Sequence, residues 1–225
     1  MGQAIGQSLS FGVGVAISPL PIIAVVLMLA TPRGRVNGPA FLLGWVVGLA
    51  ILGTVVLLVS SGADASSNGA PATWVSVLKL VLGAAGLLGA VVQWRGRPKD
   101  DAAPKLPKWM SAMDQLGAGK ALGMGALLSS LNPKNLLITV GAAAGIAQTG
   151  ISAGQQAVAL AVFILIASLG VGAPVAIFFL LGERAGKLLA EMKEWMGAHN
   201  AAIMAVLFLV LGTKLIGDGI SGLAG

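Results

Sequence analysis

The residue best suited to chemistry in this sequence is Lys134, a cation inside a long apolar stretch. It directly follows Asn132 and Pro133, and the same stretch contains no acidic residue. An ionisable side chain within a membrane span is costly to bury and is a functional candidate by default. A cation beside a helix N-terminus favours an anion, both by its own charge and by the helix dipole. The motif therefore predicts a site for a sulfate, phosphate or carboxylate group.

A second proline motif, Ser18-Pro19-Leu20-Pro21, lies in an apolar stretch near the N-terminus. Each proline removes a backbone donor and obstructs the carbonyl four residues earlier, so both motifs predict broken helices. The freed backbone groups need protein or water around them, because lipid offers no hydrogen bonds. We predict a central substrate site walled by the two breaks, with ordinary proline kinks as the alternative. The expected substrate-binding residues are Ser18, Pro19, Pro21, Asn132, Pro133, Lys134 and Asn135.

Two other lysines in apolar stretches have ordinary structural explanations. Lys79 lies near one end of its stretch, so its ammonium can snorkel to water. Lys214 precedes Asp218 by four residues, which predicts an ion pair on one helix. We predict no catalytic residue, no metal and no cofactor, because the chain has one His, no Cys and no paired carboxylates in its apolar stretches. The sequence therefore favours binding and transport over catalysis.

The composition identifies the elements that hold these residues as membrane-spanning helices. Of the 225 residues, 56% are hydrophobic and only 10% are charged, whereas a soluble domain carries about 25% charged residues. Crossing about 30 Å of hydrocarbon takes roughly 20 helical residues. We expect Gly170-Val171-Gly172-Ala173-Pro174 to kink or break the fifth span. The six predicted spans lie near 12–30, 39–59, 74–94, 121–141, 153–181 and 200–222.

Basic residues are distributed unevenly among the predicted loops. Eleven of the 14 lysines and arginines lie between spans 1 and 2, 3 and 4, or 5 and 6. The positive-inside rule places these loops in the cytoplasm and both termini outside, in a multi-pass plasma-membrane protein. We read this charge as a topology signal and expect no nucleic-acid partner. Leu106–Met113 and Leu188–Met196 have helical apolar spacing, which predicts amphipathic helices on the inner leaflet.

The chain divides into two related halves. Val77–Gly83 in the third span matches Val206–Gly212 in the sixth at six of seven positions, and the proline motifs occupy the first span of each half. We predict repeat 1 over 1–99, a basic cytoplasmic linker with an amphipathic helix over 100–120, and repeat 2 over 121–225. Three spans per half require opposite orientations, as in secondary transporters. The predicted fold is an all-α integral membrane protein of two inverted three-helix repeats, with helices 1 and 4 broken.

At Ser18-Pro19 and Asn132-Pro133-Lys134 the chain resembles the LysE superfamily of small exporters. It is most similar to the actinobacterial GAP/Sap branch of glycolipid- or sulfolipid-addressing proteins. The most telling stretch combines Pro107-Lys108-Trp109 with Ala121–Asn135. The resemblance implies participation in moving large surface glycolipids across the plasma membrane. Thiol-redox members of the superfamily hold Cys beside the breaks, where this chain has Ser18 and Asn132, and this argues against electron transfer.

Three functions stay open at the level of the sequence. The first is an exporter or translocation factor that carries an anionic or glycosylated membrane lipid toward the cell surface. The second is a LysE-like exporter of a small polar metabolite such as an amino acid, although the spans lack an unpaired carboxylate for proton coupling. The third is a non-transporting adaptor that docks lipid-synthesis or envelope-export proteins through residues 95–120 and 183–197. Glycine-rich helix faces also permit a homodimer.

Overall fold

The apolar stretches fold into helices, the conformation in which a single segment satisfies its own backbone hydrogen bonds in hydrocarbon. The computed structural model describes the backbone of residues 1–62, 66–67, 70–71, 73–97 and 116–224. A two-residue antiparallel pair, β1 (Ser66–Ser67) and β2 (Ala70–Pro71), lies between α3 and α4. The α-helices of the described residues are α1 (Gly2–Ala16), α2 (Pro19–Leu29), α3 (Gly34–Gly62), α4 (Thr73–Arg95), α5 (Ala118–Ser130), α6 (Pro133–Gln148), α7 (Ala153–Leu181) and α8 (Ala185–Ala224).

Several of these helices have the length and apolarity of membrane spans. Among the described residues, α3, α4, α7 and α8 each qualify, and α1 with α2 forms a fifth candidate that is bent by 53° at its break. The chain is therefore a multi-pass membrane protein. The predicted spans map onto the helices in order, but 121–141 falls on α5 and α6, a pair outside the five candidates.

The helical conformation is interrupted at both proline motifs. Ser18 is the N-cap of α2, whose first residue is Pro19, and Asn132 is the N-cap of α6, whose first residue is Pro133. Proline suits the first helical position, since an amide there has no acceptor within the helix. Helix α1 begins at Gly2 rather than near residue 12, so the Ser18 break lies near the middle of the α1–α2 pair. The Asn132 break is similarly central between α5 and α6.

Of the kink or break expected at Gly170–Pro174, the break is wrong, and the kink stays a prediction. Helix α7 runs continuously from Ala153 to Leu181 with Pro174 inside it. A single proline removes one helical donor, and neighbouring helices allow a membrane span to absorb that loss. Gly170 has a packing role instead: a Cβ there would lie 1.8 Å from the carbonyl oxygen of Ala16.

The amphipathic segment Leu188–Met196 is also not a separate surface helix. It forms the first part of α8, which continues for 40 residues to Ala224. At 1.5 Å per residue α8 is about 60 Å long, twice the hydrocarbon thickness. Leu189 and Met196 are buried against the rest of the bundle, whereas Leu188 and Trp195 are exposed, so tertiary packing covers only part of this apolar face. The other amphipathic segment, Leu106–Met113, and most of the linker 100–120 lie outside the described residues.

Glycines bring helices from the two halves into backbone contact. Between α3 and α5, a Cβ on Gly44 would lie 1.9 Å from the Leu122 carbonyl oxygen, and one on Gly125 would lie 2.1 Å from that of Phe41. Between α4 and α8, a Cβ on Gly83 would lie 2.8 Å from the carbonyl oxygen of Gly212. Small residues permit such close approach between membrane helices. Together with the Gly170 contact between α7 and α1, these pairs interlock the halves and fix the proline breaks in the interior.

Candidate functional site

Lys134 lies at the break between α1 and α2. Its Nζ donates to Ser18 Oγ at 2.7 Å and to the Ile17 carbonyl oxygen at 3.1 Å, and the residue is only 3% exposed. Ile17 is the C-cap of α1, so the ammonium sits at the negative end of that helix dipole. Lys134 therefore joins the proline motif of the second half directly to that of the first.

Ser18 and Asn135 extend this contact into a buried polar network. Ser18 Oγ lies 2.6 Å from the Val15 carbonyl oxygen and 3.0 Å from Asn135 Oδ1, and its single proton can be donated to either acceptor. Asn135 Nδ2 donates to the Leu128 carbonyl oxygen at 2.9 Å, in the last turn of α5, where carbonyls lack helical partners. The network thus satisfies backbone groups that hydrocarbon could not.

The N-termini of α2 and α6 offer few free amides. Pro19 and Pro21 have no N–H group, and the Lys134 amide donates to the side chain of Asn132 at 3.1 Å. A helix N-terminus binds anions chiefly through free amides. The contribution expected of helix N-termini at this site is therefore small, and the Lys134 ammonium is the main positive group.

A cavity of about 200 Å³ opens beside the network. It brings together most of the predicted substrate-binding residues, but Pro133 and Asn135 do not line it; Asn135 lies behind Ser18. Four lining residues were not predicted. Gln93 on α4 and Asn200 on α8 are polar residues near span ends and resemble ordinary loop residues, whereas Leu20 and Met204 resemble the apolar residues around them. The lining consists of Ser18, Pro19, Leu20, Pro21, Gln93, Asn132, Lys134, Asn200 and Met204.

An apolar cavity of about 320 Å³ lies further along α2 and α8. At a helix rise of 1.5 Å per residue, the first lining residue of this apolar cavity lies about 8 Å from Pro21 along α2 and about 10 Å from Asn200 along α8. One basic residue, Lys193, stands among its otherwise uncharged lining. The lining residues are Val26, Leu27, Leu29, Ala30, Phe178, Gly182, Gly186, Leu189, Ala190 and Lys193.

The two remaining lysines of the spans lie at the opposite end of the bundle. Lys214 pairs with Asp218 at 2.7 Å between Nζ and Oδ2, as the four-residue spacing predicts. Lys79 does not extend to the surface: it is 3% exposed, and its ammonium donates to Gln148 Oε1. Packing of α4 against α6 and α8 covers it, which the apolar pattern around Lys79 does not reveal.

Comparison with known proteins assigns this chain to a protein family. The family model described as Sap, sulfolipid-1-addressing protein, matches residues 9–221. The chain belongs to this family. The matched range contains both proline motifs and all three lysines of the spans, and membership indicates a role in the export or localisation of a lipid. No curated protein and no solved structure matches the chain.

Proposed function

We propose that this Sap-family protein carries an anionic or glycosylated lipid across the plasma membrane toward the cell surface. The observation that carries the proposal is the position of a cationic cavity next to an apolar one on the same two helices, α2 and α8. A lipid has the same two parts, a polar headgroup joined to acyl chains. Family membership supports the lipid class independently.

The cationic cavity suits the headgroup. The hydrogen-bond partners of the Lys134 ammonium are the neutral Ser18 hydroxyl and the Ile17 carbonyl oxygen. A buried charge with neutral partners gains from a counter-charge, because the low dielectric strengthens the attraction. A volume of about 200 Å³ corresponds to about seven waters, enough for an anionic group. Asn132, Gln93 and Asn200 line the same space and offer hydrogen bonds to hydroxyl or ester oxygens.

The apolar cavity suits an acyl chain. Each buried methylene is worth about 0.8 kcal/mol, so even part of a chain placed against Val26, Phe178 and Leu189 contributes substantial binding free energy. A small polar metabolite such as an amino acid would gain nothing from this lining. The pairing of cavities therefore favours the lipid over the metabolite as substrate.

We further infer that the protein works as two inverted repeats within the LysE superfamily, with both termini outside the cell. Three features support this proposal. The proline breaks occupy corresponding helices, α3 packs on α5 as α7 packs on α1, and α4 packs on its counterpart α8 through Gly83 and Gly212. Sites near the midplane at interrupted helices are typical of such transporters.

The test is a comparison of surface-extractable lipids from cells with the gene, without it, and with Lys134→Gln. We expect one anionic or glycosylated lipid to leave the surface and accumulate inside in the deletion. Lys134→Gln should lower that surface lipid about tenfold or more, since a hydrogen bond to a charged group is worth about 1.5–3 kcal/mol. The matched control is Lys120→Gln, because Lys120 is exposed at the start of α5.

Immunoblots of the membrane fraction must show equal amounts of each variant. An unchanged lipid profile in the deletion strain would contradict lipid transport. A lost lipid in the deletion with a normal profile in Lys134→Gln would contradict the site. If instead only replacement of linker 100–120 by a neutral spacer abolishes surface lipid, the adaptor function gains the support that the transporter loses.

A further inference from the structure

A second polar cavity lies at the end of the bundle where α1 begins and α8 ends, and we call it the terminal cavity. We infer that it is a second binding site for an anionic, hydroxylated headgroup, an inference that rests on the proposed lipid transport. Its volume is about 230 Å³. It is lined by Gln3, Gln7, Lys79, Gly145, Gln148, Thr149, Asp218, Ser221 and Gly222.

Lys79 and Gln148 form the buried wall of the terminal cavity. They are 3% and 8% exposed, and the Lys79 ammonium donates to Gln148 Oε1. This contact orients the amide, so that Gln148 Nε2 is buried without a hydrogen-bond partner in the described part of the chain. A buried donor left unpaired costs about 1–3 kcal/mol. A ligand that brings an acceptor oxygen to this wall would recover that cost.

The charges around the terminal cavity favour an anion. Lys214 and Asp218 form an ion pair whose side chains are 25% and 28% exposed. Lys79 and Asp218 both line the terminal cavity. Within the described residues around the cavity, two ammonium groups thus share one carboxylate, and one positive charge is left over.

The remaining lining favours hydroxyl groups next to that anion. The amides of Gln3 and Gln7 and the Ser221 hydroxyl can each donate and accept hydrogen bonds. The volume corresponds to about eight waters, which accommodates an anionic group with part of a sugar. Its polar lining offers nothing to an acyl chain, so the ligand is a headgroup.

The terminal cavity and the Lys134 cavity lie at different depths of one helix bundle. Helices α4, α6 and α8 line both, and Lys134 is separated from Gln148 on α6 by about 21 Å. An apolar layer of buried side chains, including Phe11, Leu211 and Leu215, lies between them. It is tightly packed: a Cβ on Gly14 would lie 2.6 Å from Leu211 Cδ1. Two headgroup sites on either side of a closed apolar layer are what a stepwise translocation route requires.

The experiment measures thermal unfolding of the purified full-length protein in detergent with glucose 6-sulfate as the probe and glucose as its neutral match. It is carried out in the Lys134→Gln background, so that the first cavity does not contribute to the response. A ligand that binds the folded state raises Tm in a concentration-dependent way. We expect glucose 6-sulfate, but not glucose, to raise Tm, and Lys79→Gln to weaken the apparent affinity about tenfold.

A glycine pair provides variants that leave every charge in place. A Cβ on Gly145 would lie 3.3 Å from Gln7 Oε1, inside the terminal cavity, whereas one on Gly6 would meet nothing within 4 Å. Gly145→Val should therefore abolish the response to glucose 6-sulfate, and Gly6→Val should retain it. An equal response to glucose, no response at all, or a response kept in both Lys79→Gln and Gly145→Val would overturn the second site.

The surface-lipid assay separates this inference from the proposed function. Loss of surface lipid in Lys134→Gln, together with no binding at the terminal cavity, would overturn the second site and leave lipid transport standing. Binding that depends on Lys79, in a protein whose deletion leaves surface lipids unchanged, would support the second site as an anion site and contradict lipid transport.

Discussion

At the scale of single residues, the interior of this protein contains an ammonium group held by neutral oxygens. Lys134 donates to Ser18 and to the end of α1, and Ser18 in turn contacts Asn135. Each of these residues stands out in the sequence because polar side chains are rare in its spans. The contact between them cannot be recognised in the sequence, because more than a hundred residues separate Ser18 from Lys134. Only the packing of α1 against α6 brings the two side chains together.

Ser18→Ala tests whether this network stabilises the break. The substitution removes the hydroxyl that accepts from Lys134 and leaves the Ile17 carbonyl oxygen as the partner of the ammonium among the described residues. We expect a loss of about 1–3 kcal/mol and a Tm lower by several degrees, measured by thermal unfolding in detergent. Ser10→Ala is the control, since Ser10 is exposed on α1. Equal Tm values for the two variants would contradict a stabilising network.

At the scale of helices, prolines set the ends and glycines set the packing. Both motifs place proline at the first position of a helix, where its missing amide costs nothing. The breaks could be predicted for that reason. The continuity of α7 could not be predicted from the sequence, because the role of Gly170 depends on its contact with α1. The start of α1 was missed for a similar reason: Gln3 and Gln7 resemble loop residues until the terminal cavity gives them a polar environment.

Two glycines in α7 provide a direct test of that packing. A Cβ on Gly170 would lie 1.8 Å from the Ala16 carbonyl oxygen, whereas one on Gly172 would lie 4.0 Å from its nearest neighbour, Leu42. Gly170→Ala should therefore lower Tm and the yield of folded protein, because α7 must move away from α1. Gly172→Ala should be neutral or stabilising, since alanine is favoured over glycine in helices by about 1 kcal/mol. A stable Gly170→Ala variant would show that α7 does not approach α1 so closely.

At the scale of the whole molecule, function depends on which end of the bundle faces the cytoplasm. The terminal cavity, with Lys79 and Gln148, lies at the end that carries both termini, and the apolar cavity lies toward the opposite end, near Lys193. Under the positive-inside rule the basic loops are cytoplasmic. In that orientation, the proposed route would run from the apolar cavity and Lys134 outward to the terminal cavity, and the protein would export its lipid.

Cysteine labelling of intact cells decides this orientation, and the chain suits it because it contains no Cys. Gly2→Cys introduces a thiol beside the exposed N-terminus, and Lys187→Cys introduces one at a side chain that is 88% exposed near the start of α8. A membrane-impermeant maleimide should label Gly2→Cys in intact cells and Lys187→Cys only after permeabilisation. The opposite pattern would place the basic loops outside, against the electrostatic preference that retains lysine and arginine in the cytoplasm. The terminal cavity would then face the cytoplasm, and the order of the two headgroup sites, with the direction of transport that follows from it, would be reversed.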